Sequence, residues 1–456
     1  MKICNTVTER REKFFLHSVN YTAHPRDLIQ NAYRSTGYVS MPRRSFIGFT
    51  EHLVYIKDGE RYNMAKAFLT PVKERPNLFF TRNTEVEGIV VTEPIDKRAS
   101  GVNVSIDGVK FFIRAKKEVI MTAGAINNAK LLLVSGIGPR NYLTDRGIPT
   151  IADLPAVGKN LQLHLSVPIF IAIDPCEGCP KDYYREMDLI NDVFAYVMHR
   201  TGNLSHININ EFANYILTHK SGASMPNIGI HHSYFKIGDR SLLAFLDGMN
   251  YHPKIAKSLI DYNQERAIMC FYISLLTPES RGEVLLNDTH FLGSPKIVAN
   301  FMTDEEDSDF SILFSGFNYI TNLTEVESMK KHKAEFLNLD IPNCRNFKFC
   351  SSPYVKCYIS NMAFPKSDSV GTLRMGSECE PISVVREDLE VKSVRCLRVA
   401  DSSVLGYIPV GNTVATDAMI GYNLGEILKE KWLKDYESPY HIHKYSDEDE
   451  EAPKNH

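Results

Sequence analysis

Apolar and β-branched residues come in short runs through the first third of the chain and return at helical spacing near its end. Leu78–Val91, Val102–Ser105 and Lys110–Ile113 predict strands, with Ile106-Asp107-Gly108 as the hairpin turn between the last two. Lys117–Thr122 predicts another strand, and Ala123-Gly124-Ala125 a tight turn of small residues after it. Asn127 or Asn128 can cap the following helix, in which Ala129, Leu132 and Leu133 share a face and which Gly136 ends. Upstream, Arg26–Ser35 predicts a helix in an otherwise loop-rich stretch. Val167–Ile173, Ala267–Leu276 and Val284–Leu285 predict strands of a largely β layer in the aromatic-rich middle section. Beyond Asp401, Ile420, Leu424, Ile427 and Leu428 stand at offsets of four, seven and eight, which predicts an amphipathic helix. The last residues, 435–456, carry a charged run almost without apolar content and read as a disordered tail. The pattern is that of an α/β chain with an α+β middle lobe.

Composition narrows the function classes. A chain of 456 residues with 43% hydrophobic and 23% charged content can bury a core large enough for two or more lobes. The net charge of −3 leaves no basic surplus to neutralise phosphates, which argues against nucleic acid as a partner. No apolar run reaches the length of a membrane span. Residues 1–12 hold charges where a signal peptide needs an apolar core, so no secretion signal is read here. Glycosylation-type triplets at Asn20, Asn103, Asn203, Asn287 and Asn322 nevertheless hint at a secreted ancestry. Nine Cys leave one unpaired, and their pairing does not follow from sequence.

The stretch from Asp368 to Thr413 carries the chemistry. It contains Asp368-Ser-Val-Gly371-Thr372, Met375-Gly376, Leu397-Arg-Val-Ala-Asp401-Ser402-Ser403 and Ile408-Pro-Val-Gly-Asn412-Thr413. This resembles the C-terminal signature of the glucose-methanol-choline (GMC) oxidoreductases, flavoenzymes that oxidise alcohols. Gly124-Ala-Ile-Asn-Asn-Ala with Ser135-Gly-Ile-Gly138-Pro resembles their second signature, and Val157-Gly-Lys-Asn160-Leu-Gln-Leu163-His164 their Val-Gly-x-Asn-Leu-x-Asp-His. Ala65–Pro71, Arg75–Leu78 and Pro278–Leu285 add to it, so the resemblance runs from about residue 48 to 430. Its texture is closest to insect glucose dehydrogenase-like and ecdysteroid oxidase-like members.

The resemblance implies FAD as cofactor and a small-molecule alcohol as substrate. It implies a GMC-type FAD-binding fold split by the substrate lobe: residues 1–165 as the first part, a largely antiparallel β lobe over 166–366, and a return to the FAD region over 367–434. Val86, Ala123, Gly124 and Ala125 would lie near the adenosine, and Asp401 and Ser402 near the pyrophosphate and ribityl chain. Asn412 and Thr413 would open the last helix against the flavin ring. The small-residue turn suits close approach of a nucleotide, because no side chain obstructs the backbone. Asp401 suits hydroxyls or amides better than phosphate, since like charges repel; taken alone it reads as a turn cap. Asn412 can cap the last helix and direct its dipole forward at once.

Two departures qualify this. The family's first C-terminal block usually reads His-Pro-Val-Gly-Thr, and Asp368 stands where its catalytic His stands, 44 residues before Asn412. A carboxylate, with an ordinary pKa of about 3.9, is a weaker base than imidazole and adds negative charge beside an alkoxide. Burial could restore some basicity, or Asp368 could simply organise its Ser-rich turn. Second, the dinucleotide fingerprint Gly-x-Gly-x-x-Gly occurs nowhere. The expectation is therefore a GMC-type fold lacking its N-terminal dinucleotide-binding βαβ unit, as a fragment or a shortened form. It is either an oxidoreductase with Asn412 and an altered base at Asp368, or a binding protein derived from one. Cys176-Glu-Gly-Cys179 lacks a second half-site for a metal, and His231-His232 would face opposite ways on a strand, so no metal site is assigned.

Overall fold

A computed structural model describes residues 16–17, 24–41, 45–51, 54–92, 96–175, 180–205, 212–218 and 225–433. The tail assigned from sequence and the pair Cys176 and Cys179 lie outside the described residues.

Near the start, the helix His24–Ser35 precedes the short strand Gly48–Glu51. Thr84–Thr92, Arg98–Ile106 and Val109–Arg114 then form an antiparallel meander. The second hairpin turns on Asp107 and Gly108, both at positive φ, as an Asp-Gly pair allows. The first strand begins at Thr84 and not at Leu78; Phe79 before it is exposed. Val119–Met121 comes next and pairs in parallel with Leu397–Val399, almost three hundred residues away in sequence. The helix Gly124–Val134 leaves that strand directly and buries Ala125, Ala129, Leu132 and Leu133 on one face. It starts before both candidate caps. Asn128 lies inside it and reaches back, its Oδ1 accepting from Ala123 N at 3.0 Å.

The middle of the chain builds a larger antiparallel sheet. Its strands run Glu335–Phe336, Leu165–Ile173, Ala267–Leu275, Ile228–Phe235, Phe212–Ile216 and Gly48–Glu51, with Phe364–Pro365 added beside Leu165–Ser166. Every residue of Leu165–Ile173 is buried. Alternate side chains point to opposite faces, so both faces of the sheet are covered there, and the sequence shows an unbroken apolar run instead of alternation. Helices Pro253–Glu265, Ser308–Leu323 and Ser352–Met362 pack against it. On Ile228–Phe235, His232 is buried, 2.5 Å from Tyr33 Oη by its Nε2 and stacked on Phe212, while His231 faces the other way. Cys344 and Cys357 form a disulfide.

Two apolar cores result. One gathers the large sheet, its helices and the helix His24–Ser35; the other gathers the meander, the parallel pair, Gly124–Val134 and the C-terminal helix Val414–Trp432. That last helix buries Ile420 and Leu424. Among the described residues no helix is long and apolar enough to cross a membrane.

Candidate functional site

The site forms where these two cores meet, and a single loop, 157–164, frames it. Gln162 and Val370 exchange both backbone hydrogen bonds, at 3.1 and 3.0 Å. Asn160 Nδ2 donates to Gly371 O (3.2 Å) and Gly406 O (3.3 Å), and Gln162 Nε2 donates to Gly406 O at 3.0 Å. Ile408 N donates to Gln162 Oε1 at 3.2 Å. Two side chains thus fix both the 368–372 and the 406–408 segments to one strand entrance. Gly371 is required here: its φ is +91, and a Cβ would stand 2.6 Å from Asn160 O.

The parallel pair brings Asp401 to the small-residue turn. Asp401 Oδ2 accepts from Gly124 N and from Asn128 Nδ2, both at 2.8 Å. Its Oδ1 accepts from Ser403 N at 3.0 Å and from Ser403 Oγ. The carboxylate therefore closes its own turn and clamps the start of Gly124–Val134, a role of amide binding and not of phosphate contact. Ala125 is buried and its carbonyl accepts from Thr372 Oγ1 at 2.6 Å; Gly371 N donates to Ser402 O at 3.1 Å. Ala123 and Val86 are exposed, and a Cβ placed on Gly124, which has φ +82, would meet nothing. The surface in front of the turn is open.

At the last helix, Asn412 is exposed and its Oδ1 accepts from Val414 N at 3.0 Å, while Thr413 is buried. Asn412 thus satisfies one amide at the start of the helix, next to its N-cap residue Thr413.

Asp368 is not a free carboxylate. Its Oδ2 lies 2.5 Å from His164 Nδ1, and its Oδ1 accepts from His164 N at 3.2 Å. His164 is the inner member, 2% exposed against 15% for Asp368, and its Nε2 is buried without a hydrogen-bond partner. Burial alone would push the Asp368 carboxyl upward. The His164 hydrogen bond and charge, the His164 amide and the Lys366 ammonium outweigh that and hold it below the ordinary carboxylate range. Burial in turn lowers the Lys366 amine, against the pull of Asp368.

The sequence motifs thus meet in two groups, Asp401 with the 123–125 turn and Asp368 with the 157–164 loop. Neither Asn128 nor His164 stood among the candidate site residues. A signal for His164 existed: the acidic neighbour expected at position 163 is Leu, and an acid appears instead at 368. Among the described residues no group of three or more His, Cys, Asp or Glu could hold a metal ion.

Comparison with known proteins agrees with this arrangement. Residues 27–166 match the N-terminal and residues 278–421 the C-terminal profile of the GMC oxidoreductases. Glucose dehydrogenase (FAD, quinone) of Drosophila pseudoobscura pseudoobscura is 31% identical over 386 residues, 84% of this chain. Ecdysone oxidase of Spodoptera littoralis is 27% identical over 416 residues, 91% of this chain. The chain spans 58% of the length of the first of these and 66% of the second. Formate oxidase of Aspergillus oryzae shares the fold at a TM-score of 0.75 and 21% identity, covering 92% of this chain and 73% of its own. An FAD-dependent oxidoreductase of Chaetomium thermophilum does so at 0.71 and 19%, covering 90% and 73%. With both halves of the site accounted for by the two matched segments, the chain belongs to the GMC oxidoreductase family.

Proposed function

We propose that this chain is part of an FAD-dependent oxidoreductase acting on the CH–OH group of a small-molecule alcohol, with proton abstraction weakened at Asp368. One observation carries it: a parallel strand pair, clamped by Asp401 to Gly124, opens onto free surface at its carboxyl end. Ligands of open α/β sheets lie at the carboxyl ends of such strands. The residues present fit FAD at its adenosine and ring ends: Val86, Ala123, Gly124 and Ala125 for the first, Asp401 and Ser402 along the chain, Asn412 and Thr413 for the second. No fingerprint for the pyrophosphate occurs in the sequence.

FAD, when bound, supplies the acceptor for the hydride that leaves the alcohol carbon. The chain's own residues then have three tasks. Asn412 Nδ2 orients the substrate oxygen. The Val414–Trp432 helix would offer its positive end to the negative charge that gathers on the flavin as it is reduced. Asp368 stands at the base position, but two hydrogen bonds and Lys366 stabilise its charged form and so oppose proton uptake.

That resistance favours a second reading, a binding protein that keeps the site without turnover. Titration of the purified chain with FAD, followed by an alcohol under anaerobic conditions, separates the two. The oxidoreductase takes up FAD and slowly loses its visible band. A chain that stays colourless and takes up no FAD is not an enzyme of this class.

A further inference from the structure

The helix Glu186–His199 buries none of its residues. Asp188, Asp192, Ala195 and Tyr196 turn toward the body, with Asp192 Oδ2 accepting from Asn203 Nδ2 at 3.0 Å. Met187, Ile190, Val193, Phe194, Val197 and Met198 turn outward; Met187 is 61%, Ile190 58% and Phe194 62% exposed. At 3.6 residues per turn these six cover about 140° of the helix circumference, the reverse of a surface helix, whose apolar stripe faces the core.

We infer that this face is the contact between two copies of the chain, with the helices antiparallel across a two-fold axis near Val193 and Phe194. Three observations favour a second copy. The face is self-complementary about that axis: Val193 falls opposite Phe194 and Ile190 opposite Val197, as an isologous contact needs. The ends are complementary in charge, because Glu186 at the N-terminus falls within one residue of Arg200, the residue after the C-terminus. Both side chains remain accessible, although Glu186 meets Arg240 and Arg200 meets Glu60 within the chain. Antiparallel helix dipoles add to this. The area also suffices. At about 100 Å² of exposed side chain apiece, the six residues present roughly 600 Å², the upper end for a monomer's largest apolar patch. Two copies would bury roughly 1,200 Å², the lower end of a stable interface. A lipid surface fits less well, since interfacial helices carry Lys and Arg on their polar face and this one carries Glu186, Asp188 and Asp192.

Sedimentation velocity on the full chain tests this across roughly a hundredfold dilution, because dimer population follows protomer concentration. The expected result is a species of twice 51.7 kDa that gives way to 51.7 kDa on dilution. Phe194→Glu should be monomeric throughout with an unchanged melting curve, and Ile190→Lys serves if that variant fails to fold. A wild-type chain monomeric at every concentration overturns the inference, as does a folded variant that still dimerises. Cosedimentation of a monomeric chain with phosphatidylcholine vesicles, lost on Phe194→Glu, overturns it too and assigns the face to lipid.

Discussion

At the scale of single residues, Asp368 does not stand alone, because the imidazole of His164 lies against it. A lone Asp facing a flavin would repel the charge that develops there. An Asp tied to His164 and Lys366 has its charge partly compensated, at the cost of basicity. A depressed folded pKa contributes stability that is present above the unfolded value, about 3.9, and is lost as pH falls through the folded value. Asp368→Asn should therefore lower stability by about 1–3 kcal/mol across the neutral range, and the deficit should shrink below about pH 4. Urea denaturation at pH 7 and pH 3.5 reads this directly; a deficit independent of pH would mean that the pair is not ionic. Gly371→Ala forces positive φ and a close approach to Asn160 on a side chain, and should cost about 2 kcal/mol or more in the same assay. Sequence located Asp368, Asp401 and Asn412 because each sits in an ordered motif. It did not reveal His164 as a partner, because 204 residues separate the two and the missing acid at Leu163 was the one trace of the contact.

At the scale of elements, the C-terminal helix is held by more than Ile420 and Leu424. Glu118, next to the strand Val119–Met121, lies 2.5 Å from Arg398 Nε and 2.8 Å from Lys431 Nζ, and accepts from Trp432 Nε1 at 3.0 Å. Burial works against its charge, but these donors outweigh it and keep the carboxyl below its ordinary range. The cluster pins the last turn of Val414–Trp432 to both parallel strands, and hence sets where Asn412 stands at the other end. Glu118→Gln leaves the Arg398 charge buried with a weaker partner and should cost about 3 kcal/mol. Adding Arg398→Met should recover part of that loss, which thermal melts of the single and double variants would show. The strands and helices themselves were legible wherever one period dominated: the Asp107-Gly108 hairpin, the run at Val167–Ile173, the spacing after Ile420. The parallel pairing of Val119–Met121 with Leu397–Val399 was not, since two three-residue strands carry no signal of their mutual register. Nor was the reach of Asn128 back to Ala123, a side-chain contact that overrides its usual place before a helix.

At the scale of the molecule, two cores meet along the 157–164 loop, and the Asp368 segment hangs from that seam. The division explains why the family motifs are scattered: the middle sheet interrupts the parallel pair that Asp401 clamps. It also ties the 368–372 and 406–408 segments to one frame. On the proposed function, the base position limits the rate of hydride transfer. Anaerobic reduction of bound FAD by a primary alcohol, timed by loss of the visible flavin band, tests it in wild type and Asp368→His side by side. Slow bleaching in wild type and a gain of about 10–100-fold in Asp368→His is the result predicted, within the range that a positioned base contributes. Equal rates in the two proteins, or no flavin bound by either, would contradict the account.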